Sequence, residues 1–402
     1  MVDSPRRISR PLRTAQLIET LEMGGAENLA VQIANSLASA GHVSHLYVMT
    51  GPGPLSARIE PQVQVEYLQC ALVPFGRPWR LFRSIVKGYR RLSQRVQADG
   101  VQLVQTHLPR ANFWGLLLAT RRRCRVVATV HNNQEFQYGD ADNPLRARLR
   151  REAYRRILMR CSATVAVSDE VRLSLINQLG ISAGHARRLV TITNGVDIPP
   201  IATAAAQQAI RSRYGISADN PLVLAAGRLT AQKNFAALVG CAARLRDRGI
   251  PCRFLIAGEG PLRPDLESLI AAQGLSQMVT LPGNVPDLGD LMHGAEIFAL
   301  SSLWEGMPLV LLEAMAHGLP VVGSRIKGVT EVVEAGTSGL LVDPGDPPAF
   351  ADALAALLQS PARRQRYGAA GRAIVQKKYS FDRVAAEVEA LYLRLMSSSS
   401  GI

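Results

Sequence analysis

Short apolar runs alternate with stretches whose apolar residues recur every three or four positions, and the alternation restarts once along the chain. In the first half, runs at 15–19, 45–49, 101–105, 125–130, 163–167 and 189–193 read as strands. Helical patterns lie between them; residues 28–39, for example, set Leu29, Ile33 and Leu37 on one face. In the second half the strand-like runs fall at 222–226, 253–257, 278–281, 297–300, 320–323 and 339–342. Such alternation predicts an α/β protein with parallel, doubly wound sheets. A length of 402 residues exceeds one ordinary core and suits two. The predicted domains are 1–198 and 199–380, followed by a last helix and polar tail over 381–402. Pro199-Pro200 and the Ala/Gln-rich stretch to Ile210 read as the linker. Two such domains are expected to leave a cleft at the carboxyl ends of their strands, where ligands bind.

Charge changes this picture more than composition does. With 47 % hydrophobic and 19 % charged residues the chain is an ordinary globular one. Its longest apolar run outside the obvious strands, 113–120, falls far short of the roughly 20 residues a membrane span needs. No apolar stretch follows the N-terminal charges, so no secretory signal is read. Cys70, Cys124, Cys161, Cys241 and Cys252 lack metal-ligand spacing and suit reduced thiols in a cytoplasmic protein. Residues 1–198 hold 27 Lys+Arg against 14 Asp+Glu, so nearly the whole net charge of +14 belongs to the first half. The excess concentrates at 79–92 and at 146–160, where basic residues mix with bulky apolar ones. Such helices fit an anionic membrane surface, and equally a core stripe edged by solvated arginines. Nucleic acid is disfavoured, because no helix-turn-helix, zinc or RNA-recognition signature accompanies the charge.

Candidate chemistry sits where strands end. Glu305 and Glu313 occur in Ser301-Ser302-Leu303-Trp304-Glu305-Gly306-Met307-Pro308-Leu309-Val310-Leu311-Leu312-Glu313. Proline is favoured at the first helical position, so amides from Met307 to Val310 are expected at a helix N-terminus, a ready site for phosphate. On one helix the two carboxylates would lie about 80° apart around the axis and roughly 12 Å along it. They serve one ligand better with Glu305 in the turn and Glu313 inside the helix, where it can accept from a ribose diol. A loop acid and a helix-surface acid explain the pair as well. Gly24-Gly25 lets backbone amides approach a diphosphate, or simply makes a turn. Gly227-Arg228-Leu229-Thr230-Ala231-Gln232-Lys233 places two cations five residues apart, able to flank a diphosphate.

Over most of its length the chain resembles the retaining nucleotide-sugar glycosyltransferases of the GT4 group, which have two Rossmann-like domains facing a cleft (the GT-B fold). The Glu305-x7-Glu313 spacing and the Gly227-Arg228…Lys233 run carry the likeness. The resemblance implies that the last helix crosses back to the first domain. It implies that Glu313 holds the donor ribose and that Glu305 lies near the transferred sugar and the diphosphate. Arg228 and Lys233 would bind that diphosphate and stabilise its growing charge. Gly24, Gly25, Gly227, Gly258, Glu259 and the turn Gly306-Met307-Pro308-Leu309 would line the donor, with Val285 in the base pocket. His131 would face the transferred sugar, and His107 and Asn132 the acceptor side. Two departures stand out: Lys327-Gly328 where relatives carry Gly-Gly, and Leu108-Pro109-Arg110 after His107, which leaves acceptor chemistry untransferable.

The expected reaction moves a hexosyl group from a nucleoside-diphosphate sugar to a hydroxyl of a glycan or lipid-linked acceptor, with retention, in cell-surface or extracellular polysaccharide or glycolipid synthesis. No cofactor and no metal are expected. The expected location is cytoplasmic, peripheral to the inner face of the plasma membrane. The alternatives are a sugar-phosphate synthase or phosphorylase of the same fold, a sugar-nucleotide epimerase, and a non-enzymatic basic membrane-surface assembly subunit.

Overall fold

The computed structural model describes residues 11–70, 78–132, 144–181, 183–217, 220–285 and 288–397. The N-terminal ten residues and the polar tail beyond Ser397 lie outside them. The chain divides into two units, Met1–Asn194 with Val384–Ile402, and Gly195–Arg383.

The first unit carries strands β1 (Arg13–Ile18), β2 (Val43–Val48), β3 (Gln64–Tyr67), β4 (Leu103–His107), β5 (Arg125–Val130), β6 (Ala163–Ala166) and β7 (Leu189–Thr191). Its helices are α1 (Gly25–Ser39), α2 (Pro78–Ala98), α3 (Pro109–Thr120), α4 (Pro144–Arg160), α5 (Asp169–Leu179) and α6 (Ala183–Ala186). The sheet order is β3-β2-β1-β4-β5-β6-β7, and every pairing is parallel. Helices cover both faces of a sheet built this way, so its strands are buried along their length rather than on one face only. β1 and β5 show this, each buried along its last five residues.

The second unit repeats the plan. Its strands are β8 (Leu222–Ala226), β9 (Arg253–Ala257), β10 (Val279–Gly283), β11 (Ile297–Leu300), β12 (Val321–Ser324) and β13 (Gly339–Val342). Its helices are α7 (Ala204–Arg213), α8 (Phe235–Asp247), α9 (Arg263–Ala272), α10 (Leu288–His293), α11 (Leu309–Ala316), α12 (Lys327–Thr330), α13 (Pro347–Leu358) and α14 (Pro361–Lys378). The parallel order is β10-β9-β8-β11-β12-β13. In both sheets the order reverses beside the first strand, between β1 and β4 and between β8 and β11. Ligands of doubly wound sheets bind at that reversal, beyond the carboxyl ends of the strands.

Three elements differ from the sequence reading. β3 is a four-residue edge strand that no apolar run announces. The stretch read as linker through Ile210 instead forms α7, capped by Thr203 Oγ1 on Ala206 N. That helix is anchored by Arg211, whose guanidinium is buried and donates to Glu296 and to the carbonyls of Ser217 and Asn220. Pro308 is the cap of α11 and not its first helical residue.

The last helix, α15 (Phe381–Ser397), returns most of its length to the first unit. There Tyr392 is fully buried and accepts a hydrogen bond from Gln16 Nε2 at 3.0 Å, while Glu389 meets His42 Nε2 at 3.1 Å. The two basic segments are helical, within α2 and α4. Their apolar residues divide: Leu92, Val96, Tyr154, Ile157 and Leu158 are core, whereas Leu149 and Met159 are exposed among the arginines.

Candidate active site

In the second unit, three loops at the carboxyl edge of the sheet are laced by backbone hydrogen bonds. Gly227 N donates to Ala257 O at 2.9 Å, Leu229 N to Glu259 O at 2.9 Å, and Gly258 N to Gly283 O at 2.8 Å. Gly258 is required here. Its φ is +137°, and a Cβ would stand 2.1 Å from Gly227 O. The lacing fixes the base of the loop that carries Arg228 and Lys233, so the two cations start from a rigid backbone.

Lys233 and Glu305 meet, although 72 residues separate them. Lys233 Nζ lies 2.5 Å from Glu305 Oε1, and Ser302 Oγ donates to the same oxygen at 2.7 Å. Gln232 Nε2 donates to Trp304 O at 2.9 Å and reaches Glu305 Oε2 at 3.4 Å. Ser301 Oγ donates to Lys233 O at 2.8 Å, and Leu303 N to Gln232 O at 2.8 Å. Glu305 is 8 % exposed, so its charge is sustained by this set of donors rather than by water. Arg228 differs: its guanidinium is exposed and has no carboxylate partner among the described residues. One cation is therefore bound to the buried acid, and the other is free for an anion.

The turn after Glu305 is held from the other side. A Cβ on Gly328 would lie 2.4 Å from Gly306 O and 2.8 Å from Glu305 O. Gly328 is thus the glycine this packing demands. The preceding Lys327 is exposed and opens the single turn of α12, so its departure from Gly-Gly costs the loop nothing. Met307 is buried in the core, and Pro308 caps α11 with no side-chain acceptor on the helix amides. Glu313 is the fifth residue of α11, half-buried, with Glu305 in the turn before it, which is the arrangement the spacing favours. Glu259 is exposed and paired with Arg263 at 2.7 Å. Val285 is half-buried against the core that contains Met307 and Leu311.

In the first unit the structure brings His107 and His131 together. His107 Nδ1 stands 3.3 Å from His131 Nε2, and His107 Nε2 stands 2.9 Å from Gln16 Oε1. His107 is fully buried and His131 half-buried. Burial, with the neighbouring His131 adding to it, holds the pKa of His107 well below the usual histidine range. Burial lowers that of His131 to about 4, so the pair is neutral at pH 7. Asn132, also half-buried, is the last described residue before Pro144. At the other side of the sheet reversal, Gly24 caps α1, but Glu27 folds back over it: a Cβ on Gly24 would lie 2.2 Å from Glu27 Oε2. A carboxylate there favours hydroxyl groups or cations over the phosphate expected at this loop. Its pKa is raised, chiefly by burial.

Sequence reasoning missed Gln16, Gln232, Ser302 and Tyr392. Gln16 carried a signal, being a long polar side chain fully buried between Ala15 and Leu17 in a parallel strand. The other three are brought into place by tertiary contacts alone. One Asp-x-Asp sequence, Asp140-Ala141-Asp142, weakens the expectation of metal independence, since paired aspartates suit a divalent cation. It lies outside the described residues.

Two family descriptions match the chain, Glycosyltransferase Family 4 over residues 23–198 and Glycosyl transferases group 1 over 206–374. A D-inositol 3-phosphate glycosyltransferase of Arthrobacter sp. is 31 % identical over 76 % of this chain and 73 % of its own. The chain belongs to glycosyltransferase family 4. This glycosyltransferase is also 32 % identical to an alpha-D-kanosaminyltransferase of Streptomyces kanamyceticus, over 60 % of this chain and 62 % of that protein. In fold it is similar to sucrose-phosphate synthase of Thermosynechococcus elongatus, with a TM-score of 0.82, 23 % identity, and 96 % and 100 % of the two chains covered. It is likewise similar to Anabaena Alr3699/HepE solved with UDP-glucose, with a TM-score of 0.80, 20 % identity, and 95 % and 99 % covered. Two parallel sheets with one order of reversal are the GT-B architecture these neighbours share. Among the described residues no helix is long and apolar enough to cross a membrane.

Proposed function

We propose that this glycosyltransferase moves a hexosyl group from a nucleoside-diphosphate sugar to a hydroxyl of a glycan or lipid-linked acceptor, with retention of anomeric configuration. The observation that carries the donor half is the buried Lys233–Glu305 pair beside the exposed Arg228, at the reversal of the second sheet. The neighbour solved with UDP-glucose supports a nucleotide sugar in this fold. Arg228 supplies a planar fork to the diphosphate, and Lys233 a compact charge that Glu305 holds in place. Both act on the charge that grows as the sugar C1–oxygen bond breaks. The acceptor oxygen then bonds to C1 on the same face, and its proton passes to the departing phosphate oxygen. Glu305 orients Lys233 and the sugar; committed to the ammonium and to Ser302, its Oε1 is poorly placed to serve as a nucleophile. No metal ion has a step in this reading.

Calorimetric titration with UDP, GDP, ADP and their sugars tests the donor half. One base should win, and Glu313→Ala should weaken its binding at least tenfold, while Arg228→Ala weakens diphosphate more than nucleoside. If none of the nucleotides bound the wild-type protein, the donor assignment would fall. We further propose that the basic faces of α2 and α4 rest on the inner face of the plasma membrane, placing synthesis of a cell-surface or extracellular glycan at that surface. An open depression lined by Arg83, Lys87, Arg90, Arg91 and Arg95 supports it, with Glu66 offsetting only the last two.

A further inference from the structure

A continuous buried chain of hydrogen bonds runs from the C-terminal helix to His131. Thr129 Oγ1 accepts from Gln105 Nε2 at 2.8 Å, and Gln105 Oε1 accepts from the Tyr392 hydroxyl. That hydroxyl accepts from Gln16 Nε2 at 3.0 Å, and Gln16 Oε1 takes His107 Nε2 at 2.9 Å. His107 Nδ1 then faces His131 Nε2 at 3.3 Å. Gln16, Gln105, Thr129, His107 and Tyr392 are each at most 1 % exposed, so water does not complete any of these bonds. Gln16 and Gln105 are register partners across β1 and β4, which is why both amides reach one phenol.

The bonding logic fixes protons. A carbonyl oxygen can only accept, so the His107 nitrogen facing Gln16 Oε1 carries the hydrogen. A neutral His107 then presents Nδ1 as a bare acceptor, and the nitrogen of His131 that meets it must donate. We propose that Gln16 and Tyr392 are positioning residues that hold His131 as its Nε2–H tautomer, leaving Nδ1 as a lone-pair acceptor for a hydroxyl of the bound sugar or acceptor. No described residue bonds to His131 Nδ1, and His131 is the more exposed ring of the pair. The depressed pKa values of both rings keep the relay neutral at the pH where the tautomer matters. Reversing Gln16 alone would set two amide oxygens against the single proton of the Tyr392 hydroxyl and leave one of them without a donor. The opposite tautomer therefore needs Gln16, Tyr392 and Gln105 to reverse together. The ligand part of this inference rests on the glycosyl-transfer reading; the tautomer does not.

Long-range ¹H–¹⁵N correlation spectra of the full-length protein, labelled at histidine, test the two parts separately. His131 is assigned by the signals lost in His131→Asn. At neutral pH, Nε2 should show a protonated resonance and Nδ1 an unprotonated one. In Tyr392→Phe the Gln16 amide loses its acceptor and can turn, so the His131 resonances should move toward the average of two tautomers. Gln16→Leu should do the same by removing the link itself. The hydrogen bond in question predicts roughly a fivefold fall in kcat/KM for Tyr392→Phe, at unchanged affinity for the nucleotide. A protonated Nδ1 in the wild type, or a tautomer indifferent to both variants, would overturn the relay. An averaged tautomer with undiminished kcat/KM would remove its role in transfer and leave the donor assignment standing.

Discussion

Lys233 and Glu305 cannot be separated as catalytic cation and sugar-orienting acid, because each sustains the other. Breaking a buried pair from one side leaves a charge with no counterion, which costs about 3–5 kcal/mol when nothing replaces it. Ser302 and Gln232 stay on Glu305 and soften that cost. Lys233→Met should therefore lose both turnover and stability, and Lys233→Met with Glu305→Gln should recover much of the stability and none of the turnover. Urea midpoints and initial rates on the two singles and the double settle this, and additive stability losses would mean the pair is not coupled. The histidine pair makes a second prediction at this scale. Both rings are held neutral in the folded protein, while in the unfolded chain they titrate near 6.5. Between about pH 6.5 and 4 the unfolded state binds more protons, so stability is full above that window and declines as pH falls through it. Each pKa unit corresponds to about 1.4 kcal/mol; allowing for the partial exposure of His131, its share is roughly 2 kcal/mol. The urea midpoint should drop between pH 7.5 and 4.5, and drop less in His131→Asn; an equal drop in that variant would place the effect elsewhere.

At the scale of elements, glycine positions decide whether the donor loops can assemble. Gly258→Ala would force a side chain onto the Gly227 carbonyl in a backbone region that L residues rarely adopt, and about 2 kcal/mol or more of stability should be lost. Gly328→Ala should act on the turn holding Glu305 and reduce turnover as well as thermal stability, whereas Lys327→Ala, at an exposed position, should leave stability unchanged. Equal effects at 327 and 328 would sink the packing argument. These loops also mark where sequence stops being legible. The apolar strands could be read because parallel strands covered on both faces are mostly apolar, as β5 and β11 are. β3 could not, since an edge strand of Gln-Val-Glu-Tyr has no such run. The helix at α7 was hidden because Ala and Gln give no apolar stripe, and its anchor is a buried arginine instead. For the site, Glu305 and Glu313 could be placed by their spacing around a proline. The meeting of Lys233 with Glu305 depends on β8 and β11 being neighbours, which no local pattern encodes. Glu27 lying over Gly24 is another such contact, and it changes the chemistry expected of that loop.

On the scale of the whole molecule, charge and chain order are both unevenly shared. The +13 of residues 1–198 predicts binding to vesicles containing anionic lipid, weakened by salt, and indifference to lipid charge would remove the membrane proposal. Chain order makes the stronger demand, because the first unit is built from both ends of the sequence while the second is continuous. Val384, Val388, Leu391 and Tyr392 of α15 are each at most 3 % exposed. Fully burying such a side chain is worth about 1.5–3 kcal/mol, so removing the helix withdraws several kcal/mol from the first unit alone. The buried Gln16 and Gln105 amides would also lose the phenol between them. A chain ending at Arg383 should therefore have a first unit cut readily by protease, while a resistant fragment of about the length of the second unit survives. That fragment keeps β8, the Lys233–Glu305 pair and α11, so it should bind the nucleotide with nearly the affinity of the full protein. Equal protease resistance of the truncated and full chains would show that α15 is dispensable to the first unit. Loss of nucleotide binding with the second unit intact would show that the donor site draws on residues outside it.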